Sequence, residues 1–339
     1  MSMKQYIERC SSGTDLTAGE ASDVLGLIMT GQATDAQIAG LLTALRAKGE
    51  SVDELVGFAR AMREHAISIH VDDPLAVDIV GTGGDGLGTF NISTVAGFVV
   101  AGAGATVAKH GNRSASGRCG SADVLTALGV NIGIPPAKTE EGIARFGIGF
   151  LFAQVFHPAM KHVARARSEL GMRTIFNLLG PLTNPAGIRR QVIGTSHPGI
   201  AEKLAAALNR LETDHSCVVH NSDGMDEIGL SGPTRVFEIR RPGGVTDFDV
   251  RASDFGLLQH PVELMAGGDA PENARIARSV LAGDPGPRRD VVVANAAAAL
   301  YVSGKASSLK EGADRAAESI DSGRALDMLN DLVTFTAAA

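Results

Sequence analysis

The residues of this 339-residue chain best suited to chemistry fall in three short runs and one acidic pair. Gly81-Thr82-Gly83-Gly84-Asp85-Gly86 follows the apolar segment Ala76–Val80 and offers a wide bend of exposed backbone N–H groups. Such a bend suits an anion such as phosphate; a glycine-rich turn with no ligand is the alternative. Asn91-Ile92-Ser93-Thr94 puts two hydroxyls and an amide at a helix start. Free N–H groups and the helix dipole favour negative charge there, although an ordinary N-cap would use the same residues. Lys109-His110-Gly111-Asn112-Arg113 gathers two fixed cations, a histidine and an amide at a strand end, where ligands of open α/β sheets collect. A solvated basic loop would explain that run alone. Three such runs so close together, each at a strand-to-helix junction, favour phosphate binding.

The acidic pair is Asp226-Glu227, after Asn221-Ser222-Asp223-Gly224-Met225. Adjacent hard oxygen ligands beside a polyphosphate are what Mg²⁺ uses, the ion keeping several waters; a solvated acidic turn is the alternative. Other motifs weaken on inspection. The glycine run satisfies G-x-G-x-x-G, but a dinucleotide fold needs an acidic residue ~20 positions on, where the second strand ends in Lys109 and His110. A Walker loop fails because Leu87 stands where lysine is required. His157 and His162 do not share a helix face, which argues against a zinc pair. Gly194-Thr195-Ser196-His197-Pro198-Gly199 misses the nucleophile-elbow spacing. Cys119 reads as an inert loop thiol rather than a reactive one.

The elements that must hold these runs divide the chain in two. Thr17-x-x-Glu20, Thr34-x-x-Gln37 and Ser51-x-x-Glu54 each fit a capping box, and Ile38, Leu41, Leu42 and Leu45 recur at helical spacing. The opening is therefore a compact helical unit. After Asp73-Pro74 short strands take over: Ala76–Val80, Ala105–Lys109, Gly149–Ala153, Gln191–Thr195, Ser216–His220, Thr234–Ile239 and Val245–Val250. Helices over 93–103, 121–128, 158–170, 200–211, 272–281 and 291–302 lie between or after them, and Ser308-x-x-Glu311 caps a last helical stretch. Strands alternating with helices predict an α/β domain with a largely parallel central sheet flanked by helices, beside a small all-α domain.

Composition narrows the function classes. Hydrophobic residues are 44% and charged residues 20%, which excludes wholesale disorder. A formal charge of −7 argues against a general nucleic-acid binder. Three scattered cysteines make neither a disulfide framework nor a Cys-x-x-Cys site. The first residues lack the apolar core of a signal peptide. The most apolar run, Val95 to Ala108, is interrupted by glycines and falls short of the ~20 residues of a membrane helix. These features predict a soluble, cytoplasmic protein with no membrane or nucleic-acid partner.

Taken together, the motifs resemble the anthranilate phosphoribosyltransferase family of tryptophan biosynthesis. The likeness extends over nearly the whole chain and includes Ser121-Ala122-Asp123, Asn177–Pro185 and Asn295–Tyr301. Its specific parts are Lys109–Arg113 and Gly180-Pro181-Leu182-Thr183-Asn184-Pro185. The resemblance implies a nucleoside phosphorylase/phosphoribosyltransferase-like fold. A small helical domain over 1–72, joined by helices from about 158–190, would carry a homodimer contact, and 73–339 would form the phosphoribosyl-binding α/β domain. It implies a Mg²⁺-dependent pentosyl transfer from 5-phosphoribosyl-1-pyrophosphate to anthranilate.

By the same resemblance Gly81, Gly84, Asp85, Thr89, Asn91, Ile92, Ser93, Thr94, Lys109, His110, Gly111, Asn112, Arg113, Ser114, Ala115, Ser116, Gly117 and Ser121 would form the donor site. Gly81, Asn112 and Arg167 would meet anthranilate, and Ser93, Asp226 and Glu227 would position the metal. Gly117 and Gly229 stand where serine is common in the family, which touches peripheral hydroxyl contacts only.

The chemistry is coherent in its own terms. Diphosphate leaves well only if its developing charge is stabilised, and a metal, Lys109 and aimed N–H groups do that. The weakly basic aromatic amine needs positioning more than deprotonation, so no dedicated general base is assigned. His110 is a candidate proton acceptor, with a structural or polarising role as the alternative. Two rival functions share parts of the pattern. A pyrimidine nucleoside phosphorylase has the same architecture, but the contexts of Asn112 and Arg167 speak against it. A non-catalytic relative that binds nucleic acid would need a basic face and would tolerate loss of Asp226-Glu227.

Overall fold

The structure is a computed structural model and describes residues 1–114 and 118–339. The chain opens with four helices, α1 (Met3–Ser11), α2 (Ala18–Met29), α3 (Asp35–Lys48) and α4 (Val52–Glu64). Each of the three expected capping boxes forms: Thr17, Thr34 and Ser51 accept from the backbone N–H of Glu20, Gln37 and Glu54, whose side chains reach back. Tyr6, Leu25, Ile28, Leu41, Leu42, Leu45, Leu55 and Phe58 are fully buried between these helices.

The rest alternates strand and helix: β1 (Val77–Gly81), α5 (Ile92–Gly102), β2 (Val107–Gly111), α6 (Ser121–Leu128), α7 (Pro136–Phe146) and β3 (Ile148–Phe152). After α8 (Ala153–Phe156) the chain forms α9 (Lys161–Leu170) and α10 (Phe176–Leu179). It then runs through β4 (Arg190–Gly194), α11 (Pro198–Arg210), β5 (His215–Asn221), β6 (Thr234–Arg240) and β7 (Gly244–Val250). It closes with α12 (Ala270–Leu281), α13 (Pro287–Val302), α14 (Leu309–Asp321) and α15 (Arg324–Ala337).

The sheet has seven strands in the order β3-β2-β1-β4-β5-β6-β7. β1 to β5 are parallel, whereas β6 and β7 add antiparallel strands at one edge. The β6–β7 pair is antiparallel because only a tight turn separates the two strands and a parallel crossover needs a dozen residues or more. Two long helices, and the single turn α8, form where the sequence pattern predicts none. α7 starts at Pro135-Pro136, with Pro136 in its first turn, and α15 begins directly after Gly323, so α14 is not the last helix.

Two layers cover the sheet. One face packs on α5, α6, α12, α13, α14 and α15 around Val99, Leu300 and Leu329. The other, through Ile193, Val218 and Ile239, packs on α11 and continues into the helical opening. Val163 and Ala166 of α9 and Phe176, Leu178 and Leu179 of α10 are buried in that same cluster with α2, α3 and α4. The order of pairing places β1 at the switch point: the chain goes from β1 outward to β2 and β3, then returns to β4 on the other side. Ligands of open α/β sheets bind in the crevice at such a point, outside the strand carboxyl ends.

Candidate active site

All three glycine-and-cation runs sit at that crevice. β1 ends at Gly81 and β4 at Gly194, and the two glycines are register partners across the pair. A Cβ on Gly81 would lie 2.3 Å from Asp226 Oδ2, and one on Gly194 would lie 1.7 Å from the Asp226 carbonyl oxygen. Two bare strand ends side by side thus form the notch that lodges Asp226. Gly194 belongs to a segment the sequence reading set aside, and its fit against Asp226 is visible only once the strands pair. Above the notch, the Gly83 N–H donates to Asp226 Oδ2 (2.7 Å).

A second knot joins Ser93, Lys109 and Glu227. The Ser93 N–H, at the start of α5, donates to Glu227 Oε1 (3.2 Å). Lys109 is buried; its Nζ donates to the Ile79 carbonyl and reaches Ser93 Oγ at 3.4 Å. Asp226 and Glu227 are buried too. Burial holds both carboxyls above their ordinary range, and the charges of Asp85 near Asp226 and of Asp226 near Glu227 push the same way. Burial pulls the Lys109 ammonium down, opposed by Asp78 and Glu227. Like charges crowded out of water make the pair a natural seat for a cation.

Asn91 does not cap α5 with its side chain. Its Nδ2 donates to the Cys119 carbonyl (3.1 Å), and its Oδ1 accepts from Asn273 Nδ2 (3.0 Å). The ordinary N-cap alternative therefore fails, and Asn91 ties the helix start to the loop before α6. Ile92 is fully buried, and its N–H donates to the Phe90 carbonyl. Thr94 is buried in the first turn, and Thr89 is held by a bridge to Ala266. Asp85 Oδ1 accepts from the Leu87 N–H, while its Oδ2 is shielded from water and has no partner among the described residues.

The loop after β2 forms a third group. Ser121 Oγ donates to the Asn112 carbonyl (3.2 Å), the Asn112 side chain accepts from the Arg113 N–H, and Arg113 pairs with Asp123 (2.7 Å). The Ser114 N–H donates to Asp123 Oδ2 (3.1 Å). Gly111 leaves room for Ser121 Oγ. Ala115, Ser116 and Gly117 lie outside the described residues. Cys119 is half-buried and burial raises its thiol, in keeping with an inert loop residue.

His110 Nδ1 lies 3.0 Å from the Gly180 carbonyl. A carbonyl only accepts, so that nitrogen carries the proton and Nε2 presents a lone pair. Nε2 is shielded and has no partner among the described residues. Burial, with His157 and Lys109 nearby, pushes His110 down to about 3, so the ring is neutral at working pH. His157, 5.1 Å away ring to ring, is likewise pushed down to about 4 by burial, and its Nε2 has no partner among the described residues. In the sequence His157 stands out only as a candidate zinc ligand, and its pairing with His110 arises from the fold.

Behind them, buried Asp78 accepts from the His110 N–H (3.2 Å) and from Asn184 Nδ2 (2.8 Å). That contact gives the Gly180–Pro185 motif a physical role, since it buttresses the strand that carries Lys109 and His110. Arg167 stands apart. It lies over the Phe176 ring at 5.2 Å, is held below its ordinary pKa by burial, and has no carboxylate partner among the described residues. No described contact joins it to the donor-side groups. At Gly229 a Cβ would lie 2.4 Å from Asn221 Nδ2, so a serine there would collide with its neighbour.

Among the described residues no cluster of three or more His, Cys, Asp or Glu forms a ready metal cage. Two buried carboxylates and a serine hydroxyl nevertheless fit Mg²⁺, which takes few protein ligands and fills its shell from water and phosphate. No helix is long and apolar enough to cross a membrane among the described residues.

Comparison with known proteins agrees with this geometry. The glycosyl transferase family helical bundle domain matches residues 4–66, and the glycosyl transferase family a/b domain matches residues 73–326. Fold and site together define a two-part glycosyl transferase with its crevice at the sheet's switch point. Anthranilate phosphoribosyltransferase of Symbiobacterium thermophilum is 53% identical over 334 residues, covering 98% of each chain, and that of Roseiflexus sp. is 50% identical with the same coverage. The crystal structure of anthranilate phosphoribosyltransferase from Thermus thermophilus superposes with a TM-score of 0.92 at 45% identity, covering 98% of this chain and 99% of that one. The Saccharomyces cerevisiae enzyme in complex with PRPP and Mg gives 0.90 at 29% identity, covering 99% and 98%. The chain belongs to the anthranilate phosphoribosyltransferase family.

Proposed function

We propose that this chain transfers the phosphoribosyl group of 5-phosphoribosyl-1-pyrophosphate to the amino group of anthranilate, as its family does in tryptophan biosynthesis. The bond from the ribosyl C1 to diphosphate oxygen breaks, a C1–N bond forms, and the amine loses one proton; the products are N-(5-phosphoribosyl)anthranilate and pyrophosphate. The observation that carries the reading is the meeting of Gly81–Gly84, Ser93, Lys109 and the buried Asp226-Glu227 pair at one switch point.

The donor's phosphates lie against the N–H groups of the Gly81–Asp85 bend and the start of α5, with Thr89, Asn91, Thr94, Ser121 and the loop 109–117 around them. Aimed N–H groups and a buried ammonium stabilise charge as the diphosphate departs, and they act strongly because water is excluded. Ser93, Asp226 and Glu227 hold the metal, which when bound offsets negative charge on the leaving group. Arg167 and Asn112 hold anthranilate, the planar guanidinium matching its carboxylate. Fixing both reactants lowers the entropic part of the barrier. His110, with Nε2 free and Nδ1 committed, is the candidate to receive the amine proton. The assembly divides at about residue 72, helices from 158–190 join the small domain, and the small domain carries the contact of a homodimer.

The test is fluorimetric: adding the phosphoribosyl donor and Mg²⁺ to enzyme and anthranilate abolishes anthranilate fluorescence, with one pyrophosphate released per anthranilate consumed. Persistence of the signal, or turnover of pyrimidine nucleosides with phosphate instead, would overturn the reading.

A further inference from the structure

One residue outside every group above bridges the two halves of the molecule. Arg173 lies in the short segment between α9 and α10, and its neighbour Ile175 is fully buried in the helical cluster. From there its Nη1 donates to the Gly83 carbonyl (2.9 Å) and to the Gly84 carbonyl (3.2 Å), residues ninety and eighty-nine positions away in the chain. Both glycines have positive φ, +69° and +72°, and a Cβ on Gly84 would lie 2.2 Å from Arg173 Nη1. The bend is therefore bare where the guanidinium lies against it. The two peptides that flank the Gly83 Cα are each held, the first through the Gly83 N–H by Asp226 Oδ2 and the second through the Gly83 carbonyl by Arg173. Among the described residues Arg173 Nη2, shielded from water, has no acceptor, and Asp85 Oδ2 within the same bend has no donor.

We propose that Arg173 is a positioning residue for the phosphoribosyl donor, clamping the Gly83–Gly84 carbonyls from the helical side so that the bend turns its N–H groups to the phosphates. The inference rests on the reading of that bend as the donor site, and it ties loop geometry to the placement of α9 and α10. With the carbonyls committed to Arg173, the peptides of the bend cannot rotate without losing two charge-assisted hydrogen bonds. The guanidinium also sets positive charge beside the Asp85–Asp226 carboxylates, which moderates their repulsion. The uncommitted Nη2 leaves donor capacity that a phosphate oxygen brought to the bend can use.

Steady-state rates with both substrates varied, and calorimetric titration of 5-phosphoribosyl-1-pyrophosphate with Mg²⁺, test this on wild type, Arg173→Ala and Arg173→Lys. Losing hydrogen bonds to a charged donor weakens binding by about ten-fold or more. Arg173→Ala should therefore raise the donor Michaelis constant and dissociation constant about ten-fold, and change the anthranilate constant by less than about two-fold. Arg173→Lys, which keeps the charge and a donor, should recover part of the loss. Arg173→Gln, which keeps most of the bulk, replaces the alanine variant if that one fails to fold. Equal rises in both Michaelis constants, or donor binding unchanged in the variants, would overturn the proposal. If wild type bound the donor but consumed no anthranilate, the transferase reading would fall while the affinity ratios still decided the role of Arg173.

Discussion

The two flanks of the crevice are built on opposite principles. On the sheet side, Asp226, Glu227, Ser93, Lys109 and Asp78 are tied to one another and to backbone groups, so their charges and dipoles are fixed before any ligand arrives. Toward the helical cluster, Arg167 rests on an aromatic ring, and among the described residues it has no counter-charge and His110 and His157 each keep one ring nitrogen unpartnered. A flank of committed groups suits stabilisation of charge that develops during reaction, where reorganisation is costly. A flank of uncommitted groups suits capture of a small ligand that brings its own carboxylate. Arg173 reaches from the second flank to the Gly83 and Gly84 carbonyls beside the first.

The largest effect should come from the committed side. Asp226→Asn with Glu227→Gln should reduce turnover about 10³-fold or more at limiting Mg²⁺, measured by the fluorescence assay. Both carboxyls are held above their ordinary range, so their ionised forms oppose folding above that range; the neutral double variant should melt at the same or a higher temperature at pH 8. Near-normal turnover would break the contrast between the flanks.

Gly194→Ala comes next. It drives a methyl into the Asp226 carbonyl and should cost about 3 kcal/mol of unfolding free energy, read from denaturant melts. A silent substitution would show that the notch is not tight.

Arg167→Ala then sharpens the other flank. It should raise the anthranilate Michaelis constant about ten- to a hundred-fold and leave that of the donor nearly unchanged. Equal shifts would move Arg167 out of the acceptor role.

The last effect is graded rather than fixed and concerns stability against pH. His157 is pushed down to about 4 in the fold against an ordinary value near 6.5. Between those values the unfolded chain takes up a proton that the folded chain refuses. Relative to His157→Gln, wild type should therefore lose up to about 1.4 kcal/mol per pH unit as pH falls from 6.5 to 4. Above 6.5 the difference should be flat. A pH-independent difference would mean that the ring is charged or exposed.

The contrast between flanks also explains what could be read from the chain alone. Capping boxes at Thr17, Thr34 and Ser51 are local events within one helical turn, and they form as expected. The glycine bend, the start of α5 and Lys109–Arg113 each lie at a strand end, so type and spacing suffice to place them at the crevice. Strand bounds shift by a residue or two because pairing extends a strand beyond its apolar stretch, as at Gly81 and Asn221. Gly194, Asp78, His157 and Arg173 were not legible as site residues. Each takes its meaning from a partner remote in the chain: Asp226, Asn184, His110 and the Gly83–Gly84 carbonyls. α7 was hidden because its first turn opens on two prolines, which read as a break even though proline suits a first turn.

The most direct measurement is a crystal structure of this chain with 5-phosphoribosyl-1-pyrophosphate and Mg²⁺. The account predicts diphosphate density against the Gly81–Asp85 bend and the Ser93 N–H, with metal density beside Asp226 and Glu227. Diphosphate bound away from the switch point, with that bend bare and the carboxylates unliganded, would contradict it.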